Sequence, residues 1–517
     1  MEEKSHTHKW LITLTVMSGM FMSALDMSIV NVALPHMRGS LSASVEEITW
    51  VSTGYILSNV IIMPIVAFLS SRFGRKNFYI FSVFSFTIAS MLCGIAWDLP
   101  SMVVFRIIQG IGGGALIPIS QSILRETFPP KEQAMAMGIY GMGIVLGPAL
   151  GPTLGGWLTD NYSWPWIFYI NVPIGIINIL MILRFIEDPH FLVREKGKVD
   201  ASGLFLMMCG LGALQIMLEQ GEQRDWFDSN FIIYLAVIAV VGLVLFVWRE
   251  LRADRPAVNL RILKNINFTS ATCLGGILGM ALMSSLFVLP LFLQQLLGYP
   301  AFDSGLALLP RSLAMATIMP ISGRIYNKIG PRILIGTGLF LNAVSFYQFS
   351  VLSLDVGFWD IFIPQFLQGV GFGMIFVSLS TAALSTIEKH MLTAATGLYN
   401  VVRQVFGSIG IALAATILDR GDNFNRARLM EHITIFGDST NHMLRSFTQY
   451  FYARGMDMAD AQNKALKAVE EIVMRQASML SFNYLFSLIA ALFIISIPLI
   501  FLITDSHRDI RPEVIVE

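Results

Sequence analysis

Fourteen runs of apolar residues, each close to the length needed to cross a lipid bilayer, leave this chain few folds to choose from. They lie near 10–34, 48–70, 78–97, 99–124, 133–157, 165–186, 201–220, 231–248, 266–293, 303–323, 333–352, 359–385, 392–418 and 478–503. Inside hydrocarbon every backbone N–H and C=O must be bonded within the protein, so such runs predict spanning helices. The charged fraction of 14% supports this, because soluble chains carry about 25%. The expectation is an all-α integral membrane protein. The first run follows Lys4 and Lys9 and is too long for a signal-peptide core, so it reads as an uncleaved span. Cys93, Cys209 and Cys273 lie inside apolar runs with no paired spacing and read as core residues.

An even number of spans puts both termini on one side. With that side cytoplasmic, its segments hold most of the 35 basic residues, among them Arg72, Arg75, Lys76, Arg249, Arg252, Arg324, Lys328 and Arg332. Short loops on the opposite side hold Arg38 and Arg224. A multi-pass inner-membrane protein with both termini cytoplasmic is therefore expected. A formal net charge of zero gives no sign of a nucleic-acid partner.

The chain repeats itself. AFLSSRFGRK at 67–76 aligns with GRIYNKIGPR at 323–332, an offset of 256 residues. RIIQGIGGGA at 106–115 aligns with QFLQGVGFGM at 365–374, an offset of 259. Both pairs fall at matching places in their halves, so two six-span halves are related by a parallel repeat. The surplus length fits one inserted pair of spans, and the architecture reads 6+2+6. The expected divisions are a cytoplasmic tail 1–9, a six-helix bundle 10–186, an inserted two-helix segment 187–264, a second bundle 265–503 and a tail 504–517. The second bundle contains a polar outside loop, 419–477. Within it Ala465, Leu466, Val469, Ile472 and Val473 fall on one helical face, which suits a cap over the outer surface or a docking surface for a partner.

Asp26 stands in an apolar span, where an ionisable residue marks function by default. It lies about 12 Å below the outer surface, and Arg106 in the fourth span lies about 10 Å deep. The two are expected to face one central cavity. Burial favours a neutral acid and a nearby cation favours its anion, so such a pair suits proton uptake and release. The other reading is a static ion pair that orders packing. The second half carries Gln365 where the first has Arg106. Asn31, Gln109, Arg311, Gln365 and Arg403 are further candidates for the cavity or for coupling.

In GMGIVLGPALGPTLGGWL (141–158), Gly143, Gly147, Gly151 and Gly155 recur every fourth residue and form a small-residue stripe. Pro148 and Pro152 remove backbone donors and predict a bend. Arg72, Gly74, Arg75 and Lys76 form a short cytoplasmic turn that suits either topology or gating. No HExxH, CxxC, GxSxG or phosphate-loop pattern occurs, which argues against a hydrolase and an ATP-driven pump and expects neither metal nor cofactor.

These motifs resemble the major facilitator superfamily, and within it the fourteen-span drug:proton antiporters of the EmrB/QacA type. LDMSIVNVALP (25–35), LSSRFGRK (69–76), RIIQGIGGG (106–114), GPALGPTLGG (147–156, with Gly156) and WPWIFYINVPIG (164–175) carry the resemblance, which covers nearly the whole chain. It implies alternating access, export of amphipathic drugs against proton entry, and Asp26 and Arg106 as coupling positions. It also implies a periplasmic adaptor and an outer-membrane channel as partners, beside small-molecule drugs, protons and the lipid bilayer. The chain departs from the family pattern at Ala67 and Ser71, where Gly and Asp are usual, and at Pro165, where Arg is usual. Two other readings stand beside multidrug export: a dedicated exporter of one metabolite (a siderophore, fatty acid or lipid-like compound), and a membrane scaffold or sensor without transport.

Overall fold

A computed structural model describes residues 2–188, 200–253, 256–433 and 437–503. The expected tail 504–517 and most of the linker before the inserted pair lie outside the described residues. The spans are α1 (Glu2–Ser40), α2 (Val45–Phe73), α3 (Arg75–Gly94), α4 (Leu99–Thr127), α5 (Gln133–Asn161), α6 (Trp166–Phe185), α7 (Ala201–Gln220) and α8 (Asn230–Arg252). They continue as α9 (Ile266–Leu296), α10 (Ala301–Ile329), α11 (Pro331–Ser350), α12 (Phe358–Ser385), α13 (Leu392–Met430) and, after a non-spanning α14 (Asp438–Tyr452), α15 (Met458–Ser496). Among the described residues, fourteen helices are long and apolar enough to cross a membrane. The face at which α1 begins is called here the terminal face, and the opposite one the far face.

The helices outrun their apolar cores. α13 and α15 have 39 residues each, about 58 Å of helix against a hydrocarbon core of about 30 Å. Segment 419–477, expected as a loop, is therefore largely helical: the ends of α13 and α15 project beyond the membrane with α14 between them. Hydropathy stops at the water, but the i→i−4 hydrogen bonds do not. An Arg426–Glu470 ion pair at 2.6 Å and a bond from Ser478 Oγ to Asp422 Oδ2 at 2.8 Å tie the projecting ends together. Ala465, Val469 and Val473 are buried along α15, whereas Leu466 and Ile472 are exposed, so the expected single apolar face is split.

The inserted pair packs through glycines: the Gly210 and Gly242 backbones approach so closely that a Cβ on Gly242 would lie 3.0 Å from Gly210 Cα. It bridges the halves near the far face, with Gln220 Nε2 donating to Thr49 Oγ1 of α2 at 3.3 Å and Gln215 Nε2 to Ser408 Oγ of α13 at 2.8 Å. Most of α8 is exposed, as a lipid-facing helix should be.

The two six-helix halves touch near the terminal face. Ser122 and Thr393 hydroxyls pair at 2.9 Å, Asn400 Nδ2 donates to Gln121 Oε1 at 2.8 Å, and Arg125 Nη1 donates to the Thr381 carbonyl at 3.2 Å. Asn327 Nδ2 donates to the Lys131 carbonyl at 2.6 Å. Gly323 of α10 presses on α5, where a Cβ on it would meet the Ala134 carbonyl oxygen, and two further glycine contacts mirror each other through the repeat. A Cβ on Gly138 of α5 would lie 2.5 Å from the Met319 carbonyl oxygen of α10, and one on Gly397 of α13 would lie 2.6 Å from the Met63 carbonyl oxygen of α2. In each case the next residue is a proline, Pro320 or Pro64. The obstacle is backbone, so a larger residue must push the halves apart. We predict that Gly138→Leu and Gly397→Leu open the terminal face. A cysteine placed at Ser122 in a cysteine-free background should then react several-fold faster with a water-soluble maleimide. Unchanged reactivity in both would show that these contacts do not hold the seal.

Candidate functional site

A polar cluster lies inside the first half, where five helices converge. Asp26 of α1 is 0% exposed and Arg106 of α4 is 1% exposed, and Arg106 Nη1 donates to Asp26 Oδ2 at 2.5 Å. Asp26 Oδ1 accepts from Gln109 Nε2 at 2.8 Å and from Asn171 Nδ2 of α6 at 3.1 Å. Arg106 is held in turn: Nη1 donates to Gln109 Oε1 at 2.8 Å and Nε donates to the Val51 carbonyl of α2 at 3.0 Å. Its guanidinium carbon stands 4.2 Å from the centre of the Tyr55 ring. The Asn171 amide also donates to Ser90 Oγ of α3 at 3.1 Å. The three-residue spacing of Arg106 and Gln109 puts both on one face of α4, so one helix supplies two of the three donors.

The matched depth of Asp26 and Arg106 thus becomes direct contact. Their expected exposure to a central cavity is not met: both are shut inside the first half, where their mutual attraction and the added amide bonds offset the cost of leaving water. Asn171 was not singled out by the sequence reading. Its signal is an asparagine within the apolar sixth span, in INVPIG.

The glycine stripe of α5 faces α1. Cβ atoms on Gly143, Gly147, Gly151 and Gly155 would meet Met20, Ala24, Ser28 and Ile29 at 2.8, 2.8, 2.5 and 2.9 Å. The carbonyl of Pro148, which Pro152 leaves without its helical donor, accepts from Ser28 Oγ at 3.2 Å. Gly156 has open space around it and lies off the stripe. At the terminal face Gly74 joins α2 to α3 with φ +87°, and Arg75 Nη1 pairs with Glu126 Oε2 at 2.5 Å. The Lys76 backbone N–H donates to Asp188 Oδ1, and Lys76 Nζ donates to the Leu183 carbonyl. Arg72 also lies in this turn, in the last turn of α2.

The remaining candidates are dispersed. Asn31 is exposed and accepts from Ser52 Oγ at 3.0 Å. Arg403 sits half-buried on α13 with its guanidinium 5.2 Å from the Phe376 ring centre. Arg311 is buried in the second half against Gln368 and Ser285, and Gln365 is buried one turn before Gln368 on α12. Among the described residues no group of three or more His, Cys, Asp or Glu side chains is placed to hold a metal ion.

A buried carboxylate whose only cation is removed is strongly destabilising, by about 3–5 kcal/mol, whereas replacing the whole pair with apolar side chains is often tolerated. Arg106→Met should therefore lower the unfolding temperature in detergent, and Asp26→Leu/Arg106→Met should recover much of the loss. If the double variant unfolds no later than the single one, the pair is not the dominant tie.

Residues 16–411 match the family described as Major Facilitator Superfamily. The chain is 37% identical to the fatty acid resistance protein FarB of Neisseria gonorrhoeae over 95% of each chain. It is 37% identical to the multidrug export protein EmrB of Haemophilus influenzae over 89% of each, and 34% identical to that of Escherichia coli K12 over 95% of this chain and 94% of the other. In structure it resembles the human organic anion transporter MFSD10, with a TM-score of 0.61 and 13% identity, covering 95% of this chain and 99% of that one.

Proposed function

The chain belongs to the major facilitator superfamily, and we propose that within it the protein is a proton-coupled exporter of many hydrophobic or amphipathic compounds. Relatives named for multidrug export and for fatty acid resistance support the exporter class. The observation that carries the coupling is the carboxylate of Asp26, buried and met by three donors from α4 and α6. A carboxylate accepts all three bonds. A protonated acid no longer balances the buried Arg106 guanidinium and brings an O–H that itself needs an acceptor, so the network must rearrange. Protonation would therefore loosen the joint between α1, α4 and α6, and that change of packing is what a rocking transporter can use.

In this reading the terminal face is cytoplasmic, as the clustering of Arg72, Arg75, Lys76, Lys328 and Arg332 near it supports. The halves are then sealed toward the cytoplasm, the arrangement in which a substrate leaves and a proton enters. The projecting ends of α13 and α15 would stand in the periplasm, where exposed Leu466, Ile472 and Met474 offer an apolar surface to an adaptor linked to an outer-membrane channel. A photo-crosslinker at Ile472 that traps no periplasmic protein in cells would sink the adaptor assignment. A dedicated exporter of one lipid-like acid is the second reading, favoured by the FarB relative.

The test is proton flux in liposomes holding the purified protein, an inside-acidic gradient and a pH dye. A panel of amphipathic drugs should collapse the gradient with the wild type and not with Asp26→Asn. Collapse that persists in the variant would move the proton site elsewhere. Collapse with a fatty acid alone would favour the single-substrate exporter.

A further inference from the structure

The two halves share one polar frame, and the second half lacks its anion. The offset of 259 residues that carries Arg106 onto Gln365 also carries Gln109 onto Gln368, while the offset of 256 that relates the earlier spans carries Asp26 onto Leu282, one turn before Ser285 on α9. In the first half the frame is complete, with the Asp26 carboxylate held by an arginine and two side-chain amides. In the second no acid stands there, and Ser285, one turn along α9, donates its hydroxyl to Gln368 Oε1 at 3.1 Å. The cation arrives from another helix: Arg311 of α10 reaches between α9 and α12. Its Nη1 donates to Ser285 Oγ at 2.9 Å and to Gln368 Oε1 at 3.3 Å.

Arg311 is 4% exposed, and among the described residues no Asp or Glu lies within ion-pair distance of it. The amides beside it are unfinished too. Gln365 Nε2, Gln365 Oε1 and Gln368 Nε2 are buried without hydrogen-bond partners, on side chains that are 0% exposed. A guanidinium does not give up its proton, and a buried charge is normally paired. Buried amides are normally bonded as well. Arg311 and Gln368 therefore present a forked cation and a spare amide N–H beside each other, with the unpartnered Gln365 amide one turn away on α12, in the part of the second half that corresponds to the carboxylate network of the first.

We propose that this frame binds the carboxylate of a transported amphipathic acid, in the part of the second half that corresponds to the Asp26 network of the first. The proposal rests on the exporter reading and adds long-chain monocarboxylates to its substrate class. Two oxygens sharing one negative charge match the planar fork of arginine and the amide donor beside it. An alcohol headgroup leaves the charge unmatched, and a quaternary ammonium is repelled by it. The site lies on the far-face side of the seal. Met319, where α10 meets Gly138, is eight residues further along α10, about 12 Å nearer the terminal face.

The experiment measures equilibrium binding of dodecanoate, dodecanol and dodecyltrimethylammonium to the full chain in lipid nanodiscs, by calorimetry. Dodecanoate should bind the wild type at least about tenfold more tightly than dodecanol, the size of one good charge-assisted contact. Arg311→Gln should erase that preference. Ser285→Asp supplies the missing acid from within. It should raise the unfolding temperature and exclude dodecanoate while leaving dodecanol binding in place. It carries the test on its own if Arg311→Gln does not fold. No preference for dodecanoate in the wild type, or a preference that survives Ser285→Asp, would overturn the proposal. Drug-driven proton flux without Arg311-dependent binding would overturn it alone. Such binding without any flux would overturn the exporter reading and leave the site standing.

Discussion

A carboxylate within a membrane-embedded bundle is tolerable only when donors reach it from several directions at once, and the first half is organised around meeting that demand for Asp26. Arg106 and Gln109 come from α4 and Asn171 from α6, while the Val51 carbonyl and Ser90 hydroxyl hold the donors themselves. The opposite side of α1 is fixed differently, by the glycine stripe of α5 pressed against Ala24, Ser28 and Ile29. α1 is thus clamped between a polar network and a van der Waals seam. The seam contributes through close backbone approach, the usual basis of helix association where no water is displaced.

The repeat preserves backbone geometry and lets chemistry diverge. Gly74 and Gly330 both take φ +87° at corresponding turns, and Gly138 and Gly397 make corresponding contacts with Met319 and Met63. The side chains that fill the two halves do not correspond. Where the first half converges on a salt bridge, the second packs Phe292, Phe346, Phe349, Phe482 and Phe486 with ring centres 5.2–6.4 Å apart. At these turns and seal contacts only glycine fits, and both copies keep it, whereas the α5 stripe gives way to Val402, Phe406 and Ala414 at the positions of Gly143, Gly147 and Gly155. A polar pair is one solution among several for filling space, so it can be kept in one copy and dismantled in the other.

Spans, repeat and the depth of Asp26 and Arg106 were legible in the sequence because each depends on spacing along one chain direction. What hydropathy could not show was the helix beyond the membrane: residues 419–430 and 458–477 are polar enough to read as loop, yet they extend α13 and α15. Nor could spacing show which way a side chain turns. Asn171 is far from Asp26 in sequence, and only the packing of α6 against α1 brings them together. The expected central-cavity exposure of Asp26 failed for the same reason. Depth along a helix is set by residue count, but the choice between cavity and interior is set by the neighbours.

The seal at the terminal face shows how a chain with Ser71 in place of an acid can still close. Ser71 Oγ bonds only within its own helix, to the Phe68 carbonyl at 2.9 Å, and takes no part in joining the halves. Among the described contacts, closure rests on side-chain hydrogen bonds, mostly between neutral groups, and on the glycine contacts. Each neutral bond is worth a net of about 0.5–1.5 kcal/mol, so these contacts sum small terms. That suits a device whose two states must lie close in free energy. α4 connects this seal to the polar network, since Arg106 and Gln109 lie on the same helix as Gln121, Ser122 and Arg125. Pro118 stands between the two groups, and its carbonyl accepts from Thr396 of the opposite half at 3.2 Å. In the proposed cycle, a donor released at Asp26 and a contact released at Thr396 are movements of one helix, with Pro118 between them.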